Sequence, residues 1–195
     1  MSRRAWMDHG TKLFLAAADG LADEAFDVPT ALPGWTRKHL VAHVHFNAEA
    51  LRRLVSWART GEENRMYAEP EQRAAEIERG SQWSAQQLRH TVHESADALG
   101  AELDALSQEE WQHEVITAQG RTVPATEIPW MRAREVAVHT VDLKTGVDFD
   151  DLPDGFNAAL IADVAAKRSA TSEATGLARW LTGRTSQAPV LGPWL

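Results

Sequence analysis

Glu135 and His139 stand one helical turn apart in a stretch, 127 to 143, whose apolar residues recur at helical spacing. At about 100° per residue, Ile128, Met131, Glu135, Val138, His139 and Asp142 fall on one side, so three ionisable groups share an apolar stripe. A carboxylate there is costly unless a cation, a hydrogen-bond network or a metal compensates it. The Glu-x-x-x-His spacing sets the two side chains about 5–6 Å apart at Cβ, which suits two ligands of one ion or a local hydrogen bond.

A metal of this kind needs a third protein ligand, and the helical stretch after Thr36 offers His39, His43 and His45. With Val44 at the centre of the buried face, His45 falls beside Glu49, Arg52 and Ser56, a solvated neighbourhood. His39 lies further round, near Trp57, as a packing or surface residue. His43, flanked by Asn47 and Leu54, lies at the rim of the core, where a facing helix can meet it. Two histidines and one glutamate leave a coordination position open, the pattern of catalytic rather than structural zinc, although other first-row divalent ions accept the same ligands. His90, His93 and Glu94 fall on the polar side of their helix, and His9 and His113 have no evident companions; all are expected to be solvated.

The elements that must position this constellation are mostly helices. A first helix is predicted from about residue 3 to 23, carrying Trp6, Leu13, Phe14, Ala17 and Leu21. After the turn Leu32-Pro33-Gly34-Trp35, Thr36 caps a second helix marked by Leu40, Val44, Leu51, Val55 and Ala58 and closed by Gly61. Ser81 is expected to start a third, with Leu88, Val92, Ala96, Leu99 and Leu103 on its apolar face. Ser107 and Glu110 have capping-box spacing, and residues 115 to 123 read as a hairpin about Gln119-Gly120. Thr126 as N-cap and Pro129 in the first turn open the fourth helix, which stops by Gly146. Past Pro153 a further helix uses Phe156, Leu160, Ile161 and Val164; Leu177, Trp180 and Leu181 follow a polar stretch, and 188–195 is irregular. Long helices with one loop-rich interruption indicate a bundle with functional groups projecting from facing helices.

Composition narrows the function. The 195 residues suit one bundle domain, residues 1–150, with a small C-terminal lobe, residues 151–195. The net charge of −8 is spread along the chain, which argues against nucleic acid and requires local arginines for any anionic substrate. The absence of cysteine removes disulfides, thiolate ligands and a protein thiol nucleophile, so sulfur chemistry must arrive with a small molecule. No run of about 18 apolar residues exists and the first residues lack a signal-peptide pattern, so a cytoplasmic protein away from membranes is expected.

The run Leu32-Pro33-Gly34-Trp35-Thr36-Arg37-Lys38-His39-Leu40-Val41-Ala42-His43 with Asn47 resembles the opening motif of mycothiol-dependent maleylpyruvate isomerases. The stretch from Trp57 to Glu63 with Met66-Tyr67, the run from Thr117 to Ala125, and Trp130-Met131-Arg132-Ala133-Arg134-Glu135 through His139 to Leu143 resemble the same family. The resemblance implies a mainly α, DinB-like four-helix bundle with a short α/β C-terminal lobe. It also implies His43, Glu135 and His139 as ligands of zinc or another divalent metal, and mycothiol as the thiol. Trp180-Leu181-Thr182-Gly183-Arg184 is similar to a family motif whose arginine is needed for activity, but residues 166 to 177 are shorter than the family pattern, which implies a truncated lobe lacking strands.

By this reading a thiolate adds to the cis double bond of maleylpyruvate, the bond turns, and the thiolate leaves, giving fumarylpyruvate. Arg184, then Arg134 and Arg121, are candidates to hold the substrate carboxylates. Asp142 is placed to orient His139, and Tyr67 and Asn47 to contact cofactor or substrate. The partners expected are a small-molecule thiol and a dicarboxylate, in a monomer or homodimer. The same residues also fit a thiol S-transferase acting on another electrophile, or a metal-binding sensor without turnover.

Overall fold

The computed structural model describes residues 1–192, so the last three positions of the irregular end expected over 188–195 lie outside the described residues. The chain divides into two compact units, Met1–Asp151 and Leu152–Leu195.

In the first unit, α1 (Arg3–Asp19) begins at Ser2, whose hydroxyl accepts from the Ala5 amide, and buries Met7, Gly10, Phe14 and Ala18 at intervals of three and four. It stops sooner than its apolar pattern predicts. Ala22 turns extended and a 3-10 turn, Asp23–Asp27, follows instead, sinking Phe26 completely. Arg89 holds this turn, with its guanidinium over the Phe26 ring and an ion pair to Asp23.

Helix α2 (Arg37–Thr60) has the ends its sequence predicts, Thr36 before it and Gly61, at φ 75°, after it. A reciprocal cap fixes its first turn, in which the Thr36 amide donates to His39 Nδ1 at 3.3 Å. His39 is thus a capping residue, and its ring also stacks on Trp35. A ten-residue helix, α3 (Gln72–Ser81), then lies against α2, and Ser81 ends this helix instead of opening the next. Ser84 is the true cap of α4 (Ala85–Asp104), accepting from the Gln87 amide. Helix α3 approaches closely because of Gly80: a Cβ there would stand 2.7 Å from the Ala42 Cβ and 3.0 Å from the Phe46 ring.

Strands β1 (Glu114–Ile116) and β2 (Thr122–Pro124) form the expected hairpin, with Val115 opposite Val123 and Gly120 at φ 76° in the turn. Helix α5 (Ile128–Asp142) follows. Thr126 does not cap it; it lies inside a preceding 3-10 turn, and Glu127 takes the N-cap position without a side-chain hydrogen bond. Helices α1, α2, α4 and α5 enclose the core, in which Phe14, Leu40, Leu88, Val92, Val136 and Leu143 cluster. Fully burying side chains of this size contributes roughly 1.5–3 kcal/mol each.

The second unit holds α6 (Asp154–Arg168) and α7 (Ala174–Leu181) and, among the described residues, no strand. The short polar link between them, tied by the Arg168–Glu173 ion pair, leaves no room for one. On α6, Phe156 and Leu160 are buried as expected, but Ile161 is 64% exposed and does not join them.

Candidate metal centre

Two helices supply the site. Helices α2 and α5 are tied together by Arg132, whose Nη1 crosses from α5 to donate to the Val44 carbonyl at 2.7 Å and to Asn47 Oδ1 at 2.9 Å. One residue before Val44, His43 directs Nε2 at Glu135 Oε2, 2.9 Å away, and His139 Nε2 stands 3.4 Å from the same oxygen. Both histidines are buried, with their rings edge to face at 4.9 Å, and Trp35 covers His43 at 5.3 Å between centroids. On the far side of its ring, His139 Nδ1 meets Asp142 Oδ2 at 2.9 Å, so Nε2 is the nitrogen left for the centre.

The electrostatics follow from burial and these contacts. Burial, the largest influence, pulls the His43 imidazole down to about 4 in spite of its bond to Glu135. Burial also opposes a charge on His139, but hydrogen bonds to Asp142 and Glu135 outweigh it and raise that imidazole to about 9. Glu135, which burial alone would push up, is held well below the usual carboxylate range by hydrogen bonds from His139 and His43. Around neutral pH the cluster therefore contains a neutral imidazole, a carboxylate and an imidazolium.

This donor set fits a divalent cation. The three ligand atoms lie within 4.8 Å of one another, compatible with one ion at bond lengths of roughly 2.0–2.2 Å after small adjustments. A cation would take the place of the His139 proton as the positive charge that Glu135 faces.

The other residues singled out in the sequence are scattered. Asn47 is buried, and its side-chain oxygen is engaged by Arg132. Arg134 is buried, with its guanidinium 5.7 Å from the Trp130 ring centroid. Arg121 is exposed at the hairpin turn, where its amide donates to Thr117 Oγ1. Tyr67 is half-buried beside a cavity; burial raises its phenol to about 12, with the Glu135 charge adding to the effect. Arg184 belongs to the second unit, follows Gly183 at φ 71°, and donates from its guanidinium to the Thr182 carbonyl.

Some polar residues behave otherwise than expected. His45 is not solvated: Nδ1 meets the Thr91 carbonyl at 3.1 Å, its ring packs on Phe46 and Trp83, and burial lowers its pKa. His113 and His93 remain solvent-accessible as expected, although His113 Nδ1 meets the Ala58 carbonyl and His93 pairs with Asp19. Sequence reasoning gave no role to Arg132, the most buried cation of the site; its one signal was an arginine inside an apolar window.

Known proteins resemble this chain in sequence and in fold. The family model described as "Mycothiol maleylpyruvate isomerase N-terminal domain" matches residues 7–144. A crystal structure titled as the mycothiol-dependent maleylpyruvate isomerase superposes with TM-score 0.82 at 42% identity, covering 84% of this chain and 68% of that one. A histidine-to-alanine mutant of that enzyme gives TM-score 0.82 at 41% identity over the same shares. Among curated proteins there is no significant match. A helical bundle of this form, matched over most of its length by the family model and at this identity by a solved member, makes the chain a member of the mycothiol-dependent maleylpyruvate isomerase family.

Proposed function

We propose that this chain converts maleylpyruvate to fumarylpyruvate with mycothiol as the thiol. The carrying observation is the convergence of His43, Glu135 and His139 at one point between α2 and α5, in a chain 42% identical to such an isomerase. These three residues would hold a divalent cation, with zinc favoured by two imidazoles and a carboxylate. Bound there, the cation would lower the pKa of a thiol so that the thiolate is available near neutral pH. The thiol supplies a reversible addition: its electron pair forms the carbon–sulfur bond, the double-bond pair moves to the ketone oxygen, and both return after the bond has turned.

The chain's own residues prepare this chemistry. His139 releases its Nε2 proton, while Asp142 keeps Nδ1 engaged and the ring in place. His43, already neutral, frees Nε2 by carrying its proton on Nδ1. Trp35 shields that imidazole from water. Arg184 is proposed to hold a substrate carboxylate, as the family pattern implies. The chain has no cysteine, so the nucleophilic sulfur must come from outside it. A cytoplasmic setting, in which small thiols are kept reduced, belongs to the same proposal. Among the described residues no helix is long and apolar enough to cross a membrane.

The test mixes purified metal-loaded protein, mycothiol and maleylpyruvate and follows loss of the enol absorbance to fumarylpyruvate. Turnover that needs the thiol is expected, and turnover without it removes the mechanism. The second unit, with no strand among its described residues, favours one second reading, thiol transfer to a different electrophile. Thiol consumption without isomerisation would establish that reading instead.

A further inference from the structure

The loop leading into α3 is held on both sides of Tyr67. Arg53 donates to the Met66 carbonyl, and the Ala68 amide donates to the Gln72 side chain at 2.7 Å, which in turn donates to Glu76 at 2.8 Å. Tyr67 and Arg73 therefore leave a fixed piece of backbone, and both line a cavity of about 480 Å³ closed on the other side by Ile116, Thr117 and Gly120 of the hairpin. That volume falls within the roughly 300–1,000 Å³ of small-molecule sites.

Two polar side chains that line this cavity lack a partner among the described residues, and Arg73 is exposed to solvent. Among the described residues, neither the Tyr67 hydroxyl nor the Arg73 guanidinium has a hydrogen bond or ion pair, whereas Arg65 at the same cavity is paired with Glu63. The loop and α3 are seated on α2, the helix that carries His43: Arg53 of α2 reaches Met66 and Glu76, and Gly80 rests on Ala42. The Arg73 charge lowers the pKa of both His43 and Tyr67, and the Glu135 charge reaches Tyr67. Burial keeps the Tyr67 phenol protonated through neutral pH, so it is a donor there.

We infer that Arg73 and Tyr67 form a carboxylate cradle beside the triad, taking one carboxylate of the dicarboxylate substrate while its double bond faces the metal position. The inference rests on the proposed isomerase reading. A guanidinium and a phenol both donate, and neither offers a competing negative charge. In a chain of net charge −8, an anionic substrate needs such a local cation.

The test uses the whole metal-loaded chain with Arg73→Gln, Arg73→Lys, Tyr67→Phe and, as control away from the cavity, Arg59→Gln on the exposed last turn of α2. Arg73→Gln is expected to raise KM for maleylpyruvate on the order of 10–100-fold, with the thiol KM and the metal content unchanged. Arg73→Lys should recover part of that loss, Tyr67→Phe should cost about tenfold, and Arg59→Gln should match the parent. Equal rises in both KM values, or none, overturn the cradle.

Maleate, a small cis dicarboxylate, is the probe that does not depend on turnover. Its calorimetric affinity should fall with Arg73→Gln and not with Arg59→Gln. If the parent binds maleate in this way but does not turn over maleylpyruvate, the isomerase reading fails and the cradle stands. An equal maleate affinity in parent and Arg73→Gln removes the cradle whatever the turnover. Tyr67 is the chain's only tyrosine, so its phenolate band reports the cavity alone. Arg73→Gln should move that ionisation further up, and an unmoved midpoint would also count against the pairing.

Discussion

In the triad the polar atoms answer one another: His43 and His139 both face Glu135 Oε2, and Asp142 holds the other nitrogen of His139. Beside the loop before α3, Tyr67 and Arg73 line a cavity, and neither side chain has a hydrogen-bond or ion-pair partner among the described residues. The difference separates two kinds of binding. A cluster that contains its own counter-charges can exchange a proton for a permanent cation without leaving a bare carboxylate behind. A pair of donors with no acceptor is suited to a guest that brings its own negative charge and leaves again.

The sharpest break would come from the triad itself. His43→Ala, Glu135→Ala and His139→Ala should each weaken metal binding on the order of 100-fold or more, read as metal content after chelator competition, while Arg73→Gln leaves it alone. Stoichiometric metal in the three alanine variants would erase the contrast between the two regions.

The next effect is proton exchange. The His139 pKa is raised to about 9, so the proton is present at neutral pH and must leave as the cation arrives. Metal affinity should therefore rise about tenfold per pH unit up to that value, with roughly one proton released per ion, measured by calorimetry in buffers of different ionisation enthalpy. An affinity flat from about pH 6 to 8 would mean that His139 is already neutral.

The smallest effect belongs to Asp142→Asn, which keeps a polar contact but loses the negative charge behind His139. A fall of about tenfold in metal affinity is expected, and no change would make Asp142 a surface partner only.

Much of the triad was legible because helical periodicity carries it. Glu135 and His139 share a stripe by counting, and His43 follows once Val44 marks the buried face. The ends of α2 were legible for a similarly local reason: Thr36 and Gly61 stop a helix by their own chemistry. Ser81 and Ser84 show where this fails. Each is a serine before an apolar run, yet Ser81 donates back to the Glu78 carbonyl inside the end of α3, and only Ser84 caps α4. Missing α3 hid Arg73, which sits in its first turn. Arg132 and His45 were hidden for another reason: their partners, Val44 and Asn47 for one and Thr91 for the other, lie on different helices, and no local pattern announces such a meeting.

The missing side chain at Gly80 has a consequence for how this protein can change over generations. Position 80 rests on Ala42, the neighbour of His43, while the helix that contains it begins with Gln72 and Arg73. Even one added methyl there must push α3 from α2 or displace the Phe46 ring, shifting a whole arm of the molecule at once. Lineages are thus free to vary the outward residues of α3, such as Glu78, but meet a closed door at this glycine, whatever substrate the descendants come to use.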